Sequence, residues 1–215
     1  MRPAAVLFDC DGVLVDSEPV GHALLRDDLA AHGLEMSVED VHRLFVGGTM
    51  ASVAVQAAKL GAVLPEDWVA RHYRRLYAKL AEGTPLIAGV VALLDALDVA
   101  GVAYAVGSNG TTEKMTTTLS QHPEVWRRVK DRLYSGQELA CPKPDPGLYL
   151  HAARALGADP AGCVVIDDSP TGCRAGVAAG MRTLGYAAAG NGAALRAVGA
   201  EVFVAMDEVP GLLGL

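Results

Sequence analysis

The sequence predicts an α/β fold: a parallel sheet covered on both faces, interrupted after its first strand by a small bundle of helices. Two observations carry this. Short continuous apolar runs alternate with helical segments from about residue 85 to the end, the pattern of strands buried on both sides between crossover helices. Between Ser17 and Gly83, by contrast, the chain shows helical periodicity and no convincing strand, which implies an insertion. The division is a core over 1–15 and 85–215 and a helical cap over 16–84.

In chain order, residues 4–8 read as a buried strand. Residues 20–32 are helically periodic and stop at Gly33. Ser37, with Asp40 three residues on, starts a helix over 38–45. A third helix covers 49–60 up to Gly61, and a fourth starts at Pro65 and ends at Gly83. Glycine stops of this kind mark helix C-termini. A helix over 89–100 and the strand "VAYAVG" follow. Next come a helix over 112–120, a strand at "RLYS" and a helix over 147–156. The strand "CVVI" precedes a helix over 171–179. "RTLGY", a helix over 192–198, "EVFVA" and a short closing helix complete the chain.

Composition excludes several classes. The net charge of −7 on 215 residues comes with no basic stripe, so nucleic acid is not an expected partner. No apolar run reaches the ~18–20 residues of a membrane span. The N-terminal Met1-Arg2-Pro3 runs into a strand, not a signal-peptide pattern. Cys10, Cys141, Cys163 and Cys173 lack CxxC spacing and read as reduced, small core residues. The expectation is a cytoplasmic protein without membrane partners; its oligomeric state is open, and a monomer is compatible with the sequence.

Ligands of open parallel sheets bind beyond the carboxyl ends of the strands. The first strand ends in Asp9-Cys10-Asp11-Gly12, "AYAVG" in Ser108-Asn109-Gly110, and "CVVI" in Asp167-Asp168-Ser169. Lys143 stands in the rigid frame "CPKPDP" ahead of a helix. Each has a simpler reading. Asp11-Gly12 is a hairpin signal. Asp168 or Ser169 would cap a helix. Ser108 and Asn109 suit a turn, and Lys143 would be a solvated loop lysine. The fold, however, brings all of them to one edge. Two like charges ~4 Å apart repel by roughly 4 kcal/mol at an effective dielectric of 20. Four carboxylates with one lysine therefore call for a further cation, and a hard divalent ion such as Mg²⁺ fits oxygen ligands. A carboxylate at a strand end beside a metal is a positioned nucleophile, and a second one two residues on can hold or donate a proton.

With these motifs in order, the chain resembles the haloacid dehalogenase superfamily, in the branch with a helical cap after the first strand. "DCDGVLVDS" matches its first motif, Ser108 the second, Lys143 the third and "DDS" at 167–169 the fourth. The resemblance implies a Rossmann-like core, with Asp9 as nucleophile, Asp11 as general acid/base and Lys143 as catalytic cation. It implies Mg²⁺ on Asp9, the backbone carbonyl of Asp11, and Asp168, with Asp167 nearby, where many relatives carry Glu. Ser108, Asn109, Gly12 and backbone N–H groups are expected to bind the phosphate.

Asp11 separates this chain from dehalogenases and phosphonatases, which depart from the pattern there. A phosphatase or a phosphomutase remains. β-Phosphoglucomutases carry a basic pair flanking a glycine in the cap. The matching stretch "FVGGTMASV" has Val46 and Met50 instead, which favours a phosphatase for a small phosphorylated metabolite. The stretches "GSNGTTEKM", "KPDPGLYLHAA" and "VVIDDSPTG" resemble sugar-phosphate phosphatases, including enzymes like 6-phosphogluconate phosphatase. Receiver domains combine similar residues, but there the acidic pair comes first and the lysine last. A non-catalytic binding protein is the remaining alternative. Glu18, His22, Thr49, Met50 and Arg71 are candidates for substrate selection, and Arg71 or Lys59 for a substitute cap cation.

Overall fold

The computed structural model describes residues 2–45, 49–188 and 190–215. Six parallel strands form one sheet: β1 (Ala5–Phe8), β2 (Ala103–Ser108), β3 (Leu133–Ser135), β4 (Cys163–Asp167), β5 (Arg182–Tyr186) and β6 (Glu201–Phe203). Their order is β3-β2-β1-β4-β5-β6. β1 is thus central: the chain steps from it to β2 and β3 on one side, then crosses back to β4 on the other, so the carboxyl ends of β1 and β4 flank the switch point of the sheet.

Eleven α-helices are present among the described residues. Those after the insertion are α5 (Val90–Ala100), α6 (Thr112–Leu119), α7 (Pro123–Val129), α8 (Gly147–Ala155), α9 (Pro170–Ala178), α10 (Gly192–Ala197) and α11 (Val209–Leu213). Alternate strand residues face opposite ways. Val6, Phe8, Val106 and Ile166 pack against α5, α6, α7 and α11. Ala5, Leu7, Ala105 and Val165 pack against α8 and α9. Helix α7 is absent from the sequence expectation. It is seven residues long, too short to display a period, although Pro123 at its start and Arg127 and Arg128 at its end are proper terminal residues.

The insertion holds α1 (Glu18–Ala30), α2 (Val38–Phe45), α3 (Met50–Lys59) and α4 (Trp68–Ala81). It has its own apolar cluster of Leu25, Leu29, Val41, Phe45, Val53, Ala57 and Trp68. Ser37 Oγ accepts the Asp40 N–H at 3.0 Å, as expected for a cap. The two crossings between bundle and sheet run side by side. Asp16 N–H donates to Pro85 C=O at 2.9 Å, and Val15 bridges Leu86. Among the described residues, no helix is long and apolar enough to cross a membrane.

Candidate active site

Register fixes the centre of the site. Phe8 pairs with Val106 on one side and Ile166 on the other. The next residue, Asp9, therefore emerges level with the ends of β2 and β4, and its N–H donates to Ile166 C=O at 2.9 Å. The chain does not continue as a hairpin. Gly12, at φ 77°, turns it back so that its N–H donates to Val15 C=O at 2.8 Å. A side chain at Gly12 would collide with the Asp168 carboxylate. Glycine is needed here twice, for its positive φ and for the room it leaves.

Lys143 is buried, not solvated. Its ammonium donates to Asp9 Oδ1 at 2.5 Å and to Asp167 Oδ2 at 2.8 Å. Asn109 holds its backbone from both sides: Oδ1 accepts the Lys143 N–H at 2.7 Å, and Nδ2 donates to its C=O at 3.1 Å. The side-chain amide expected to face phosphate is thus occupied in placing the lysine. Ser108, buried at the end of β2, accepts the Gly110 N–H at 2.9 Å.

The four carboxylates have different surroundings. Asp167 is wholly buried, and both oxygens are engaged. Oδ2 accepts from Lys143 and, at 2.7 Å, from Tyr149; Oδ1 accepts the Ser169 N–H and hydroxyl at 2.9 and 2.8 Å. Ser169 also caps α9, accepting the Gly172 N–H at 3.0 Å. Gly172 lies so close that a Cβ there would strike Asp167. Asp11 receives the hydroxyl of Ser17 and, at 2.8 Å, the ammonium of Lys114. Burial pushes its carboxyl up, but Lys114, Ser17 and Lys143 outweigh burial and hold it below its ordinary value. Ser17 precedes α1 yet gives that helix no side-chain cap, its hydroxyl being turned to Asp11.

Asp9 behaves oppositely. Burial, with repulsion from Asp167 and Asp11, pushes its carboxyl up to about 7 despite Lys143. Asp168 is pushed well above its ordinary value by burial and by the charges of Asp167 and Asp9. Asp9, Asp167 and Asp168 each bring one oxygen within 4.8 Å of the others. An all-oxygen set in which Asp9 and Asp168 resist ionising without added positive charge suits a hard divalent cation.

The site opens into a cavity of about 180 Å³ between sheet and bundle. Asp9, Asp11, Ser108, Asn109, Lys143 and Asp168 line its floor, and Glu18, His22, Met50 and Tyr73 contribute from the bundle. Of the expected selectivity residues, Thr49 caps α3 by accepting the Ser52 N–H. Arg71 is exposed and paired with Asp67 at 2.7 Å, away from the cavity lining, and Lys59 is exposed at the end of α3. Val46 and Gly47, the centre of the expected clamp region, lie outside the described residues. The sequence reading missed Ser17, Lys114 and Tyr149. It counted one lysine at this edge where two are present, Lys114 and Lys143.

A model of the haloacid dehalogenase-like hydrolase family matches residues 3–180. The chain belongs to this family. The chain is 31% identical to the 6-phosphogluconate phosphatase of Escherichia coli K12 over 189 residues, covering 87% of this chain and 84% of that one. It is 31% identical to hexitol phosphatase A of the same organism, over 86% and 83% of the two chains. A haloacid dehalogenase family hydrolase of Deinococcus radiodurans, solved with bound phosphate and sodium, is 33% identical. It covers 99% of this chain and 96% of its own, with a TM-score of 0.80. The expected family, the fold and the assignment to phosphatase-type enzymes therefore stand. β-Phosphoglucomutase of Clostridium difficile, at 19% identity and a TM-score of 0.80, shares the fold.

Proposed function

We propose that this haloacid dehalogenase-like hydrolase is a Mg²⁺-dependent phosphatase of small sugar phosphates or sugar-acid phosphates, acting through an aspartyl-phosphate on Asp9. The observation that carries the proposal is the setting of Asp9. It stands at the end of the central strand on the cavity floor, with Lys143 at 2.5 Å and Asp168 beside it. The names of the two E. coli relatives support the substrate class.

In this reading the Asp9 carboxylate attacks phosphorus, and the bond to the sugar oxygen breaks. Asp11 delivers the proton that the leaving oxygen needs. Held ionised by Lys114, Asp11 gains proton affinity when the anionic phosphoryl group arrives beside it, because a like charge raises a carboxyl pKa. In the second step Asp11 takes a proton from water as that water attacks the phosphoryl group, which frees phosphate and restores Asp9. Lys143 neutralises charge at Asp9, and the Ser108 hydroxyl with the backbone N–H of Asn109 receives phosphoryl oxygens. A divalent cation would be held by Asp9, Asp168 and the Asp11 carbonyl, and supplies positive charge to the attacking carboxylate and the phosphoryl oxygens. Asp167, committed to Lys143, Tyr149 and Ser169, positions the lysine and adds negative charge near the cation.

The bundle over 16–84 acts as the cap, pivoting about two hinges near Val15–Ser17 and Gly83–Pro85, where the crossings run side by side. Its contacts with the core include Tyr77 to Thr111 at 2.6 Å and Gln137 to Tyr73 at 3.3 Å. Among the described residues, the lysines of the cavity wall, Lys114 and Lys143, are both paired with carboxylates. This favours hydrolysis over retention of a bisphosphate. The test is phosphate release from a panel of phosphorylated sugars and sugar acids, beside a coupled assay for β-glucose 1-phosphate isomerisation with added bisphosphate. Release without isomerisation is expected; efficient bisphosphate-dependent isomerisation would overturn the phosphatase reading.

A further inference from the structure

Glu18 and His22 lie four residues apart on α1 and so share one face of that helix. His42, on α2, meets them there. The His22 and His42 rings stand edge to face, 5.1 Å between centroids. Glu18, His22 and His42 each offer one ligand atom within 4.8 Å of the others. All three are half-buried. Glu18 and His22 line the cavity. The phosphatase chemistry proposed above uses none of the three.

We propose that Glu18, His22 and His42 form a second metal site, for a borderline divalent cation of the zinc class. The donor set is two imidazoles and one carboxylate, which suits zinc, copper or nickel and not magnesium. Ligand bonds of about 2.0–2.2 Å place the donors of a tetrahedral ion roughly 3.3–3.5 Å apart. Rotamer adjustments on two adjacent helices close the remaining gap. Both imidazoles must be neutral to ligate. Burial first, and then His42 and Lys114, lower His22 to about 4. That state is available at neutral pH without an added proton-release cost at His22. Three protein ligands leave a position for water or a substrate oxygen. The ion would also tie α1 to α2 at the cavity wall. The oxygen-only set of Asp9, Asp167 and Asp168 is chemically distinct from this one, so the two sites can be told apart spectroscopically.

The experiment uses the full chain, stripped of metal and then supplied with millimolar Mg²⁺. Zn²⁺ binding is measured by competition with a chromogenic chelator. Stoichiometric Cu²⁺ is followed by electron paramagnetic resonance, which reports nitrogen ligands through their hyperfine splitting. The wild type should bind Zn²⁺ tightly and show Cu²⁺ coupled to two nitrogens. His22→Ala and His42→Ala should each lose one nitrogen and weaken Zn²⁺ at least about tenfold. Glu18→Gln, which keeps the side-chain volume, should weaken Zn²⁺ while keeping both nitrogens. Thermal melts without metal check that each variant folds, and Glu18→Gln keeps the test open if a histidine variant does not. Weak Zn²⁺ binding by the wild type would overturn the site. So would unchanged nitrogen coupling in a folded double histidine variant, which would place the ion on other histidines.

Discussion

Replacing Asp9 by Asn should inactivate the enzyme and stabilise its fold. Asp9 is nearly inaccessible, and its carboxyl is lifted from the ordinary 3.8 to about 7 by burial and by neighbouring carboxylates. Lifting it that far corresponds to about 4 kcal/mol of folding free energy lost when Asp9 ionises in the metal-free protein. The sign follows from proton binding. Between pH about 4 and pH about 7 the native state holds this proton more firmly than the unfolded chain, so stability falls as pH rises through that window. Most of the penalty, about 2–3 kcal/mol, accumulates between pH 5 and pH 8. Asparagine cannot ionise, and Lys143 keeps Asp167 at 2.8 Å in the variant, so no ammonium is left unpaired. Thermal unfolding in EDTA should therefore show Asp9→Asn above wild type at pH 8. The margin should shrink by roughly 5–10 °C at pH 5, taking about 2–4 °C per kcal/mol for a chain of this size. Turnover should fall at least about 10³-fold. Added Mg²⁺ should narrow the margin by stabilising wild type alone. A variant no more stable than wild type at pH 8, or a margin that does not change with pH, would refute the electrostatic account of this site.

Further outcomes are expected at neighbouring positions. Asp11→Asn should slow phosphate release by ~10²–10⁴-fold in steady-state assays, the range for a general acid/base, and leave a phosphorylated chain detectable by intact mass. EDTA should abolish phosphate release, and Mg²⁺ should restore it where Ca²⁺ does not, because calcium's longer, looser coordination misaligns the attack. Gly12→Ala should cost at least about tenfold in phosphate release with the overall fold retained by circular dichroism, since its Cβ would meet Asp168 and its φ is positive.

The parts of this molecule that were legible in the sequence are those whose chemistry is local. Strand ends carry Asp9, Asp11, Asp167 and Asp168 because each follows an apolar run of strand length. Glycine stops located the bundle helices to within a few residues, and a Pro-framed Lys143 was distinctive enough to single out. What stayed hidden depends on neighbours distant in sequence. Lys114 sits inside α6, where a lysine ordinarily reads as a solvated helix residue; only the approach of α6 to the 9–17 turn sets it on Asp11. Ser17 has the sequence signature of a helix cap, but a nearby carboxylate competes for its hydroxyl and obtains it. Asn109 was expected on phosphate for its place after β2, yet the Lys143 backbone passes close enough to take both ends of its amide.

Finding Lys114 also changes the electrostatic reasoning that sequence alone supports. With one lysine, the edge carries an imbalance that no single divalent ion removes. With two, Asp9, Asp11, Asp167 and Asp168 face Lys114 and Lys143, and two negative charges remain. Those charges are not spread evenly. Lys114 serves Asp11, and Lys143 bridges Asp9 and Asp167, whose oxygens have further donors in Tyr149 and Ser169. The deficit therefore falls on Asp9 and Asp168, the two carboxyls that burial and like charge push upward. In the proposed mechanism, one divalent cation held by these two carboxylates would balance the site and would supply positive charge to the Asp9 carboxylate. Under the proposed mechanism, the placement of the two lysines therefore leaves Asp9 and Asp168 as the carboxylates to hold a metal and Asp11 as the one to move a proton.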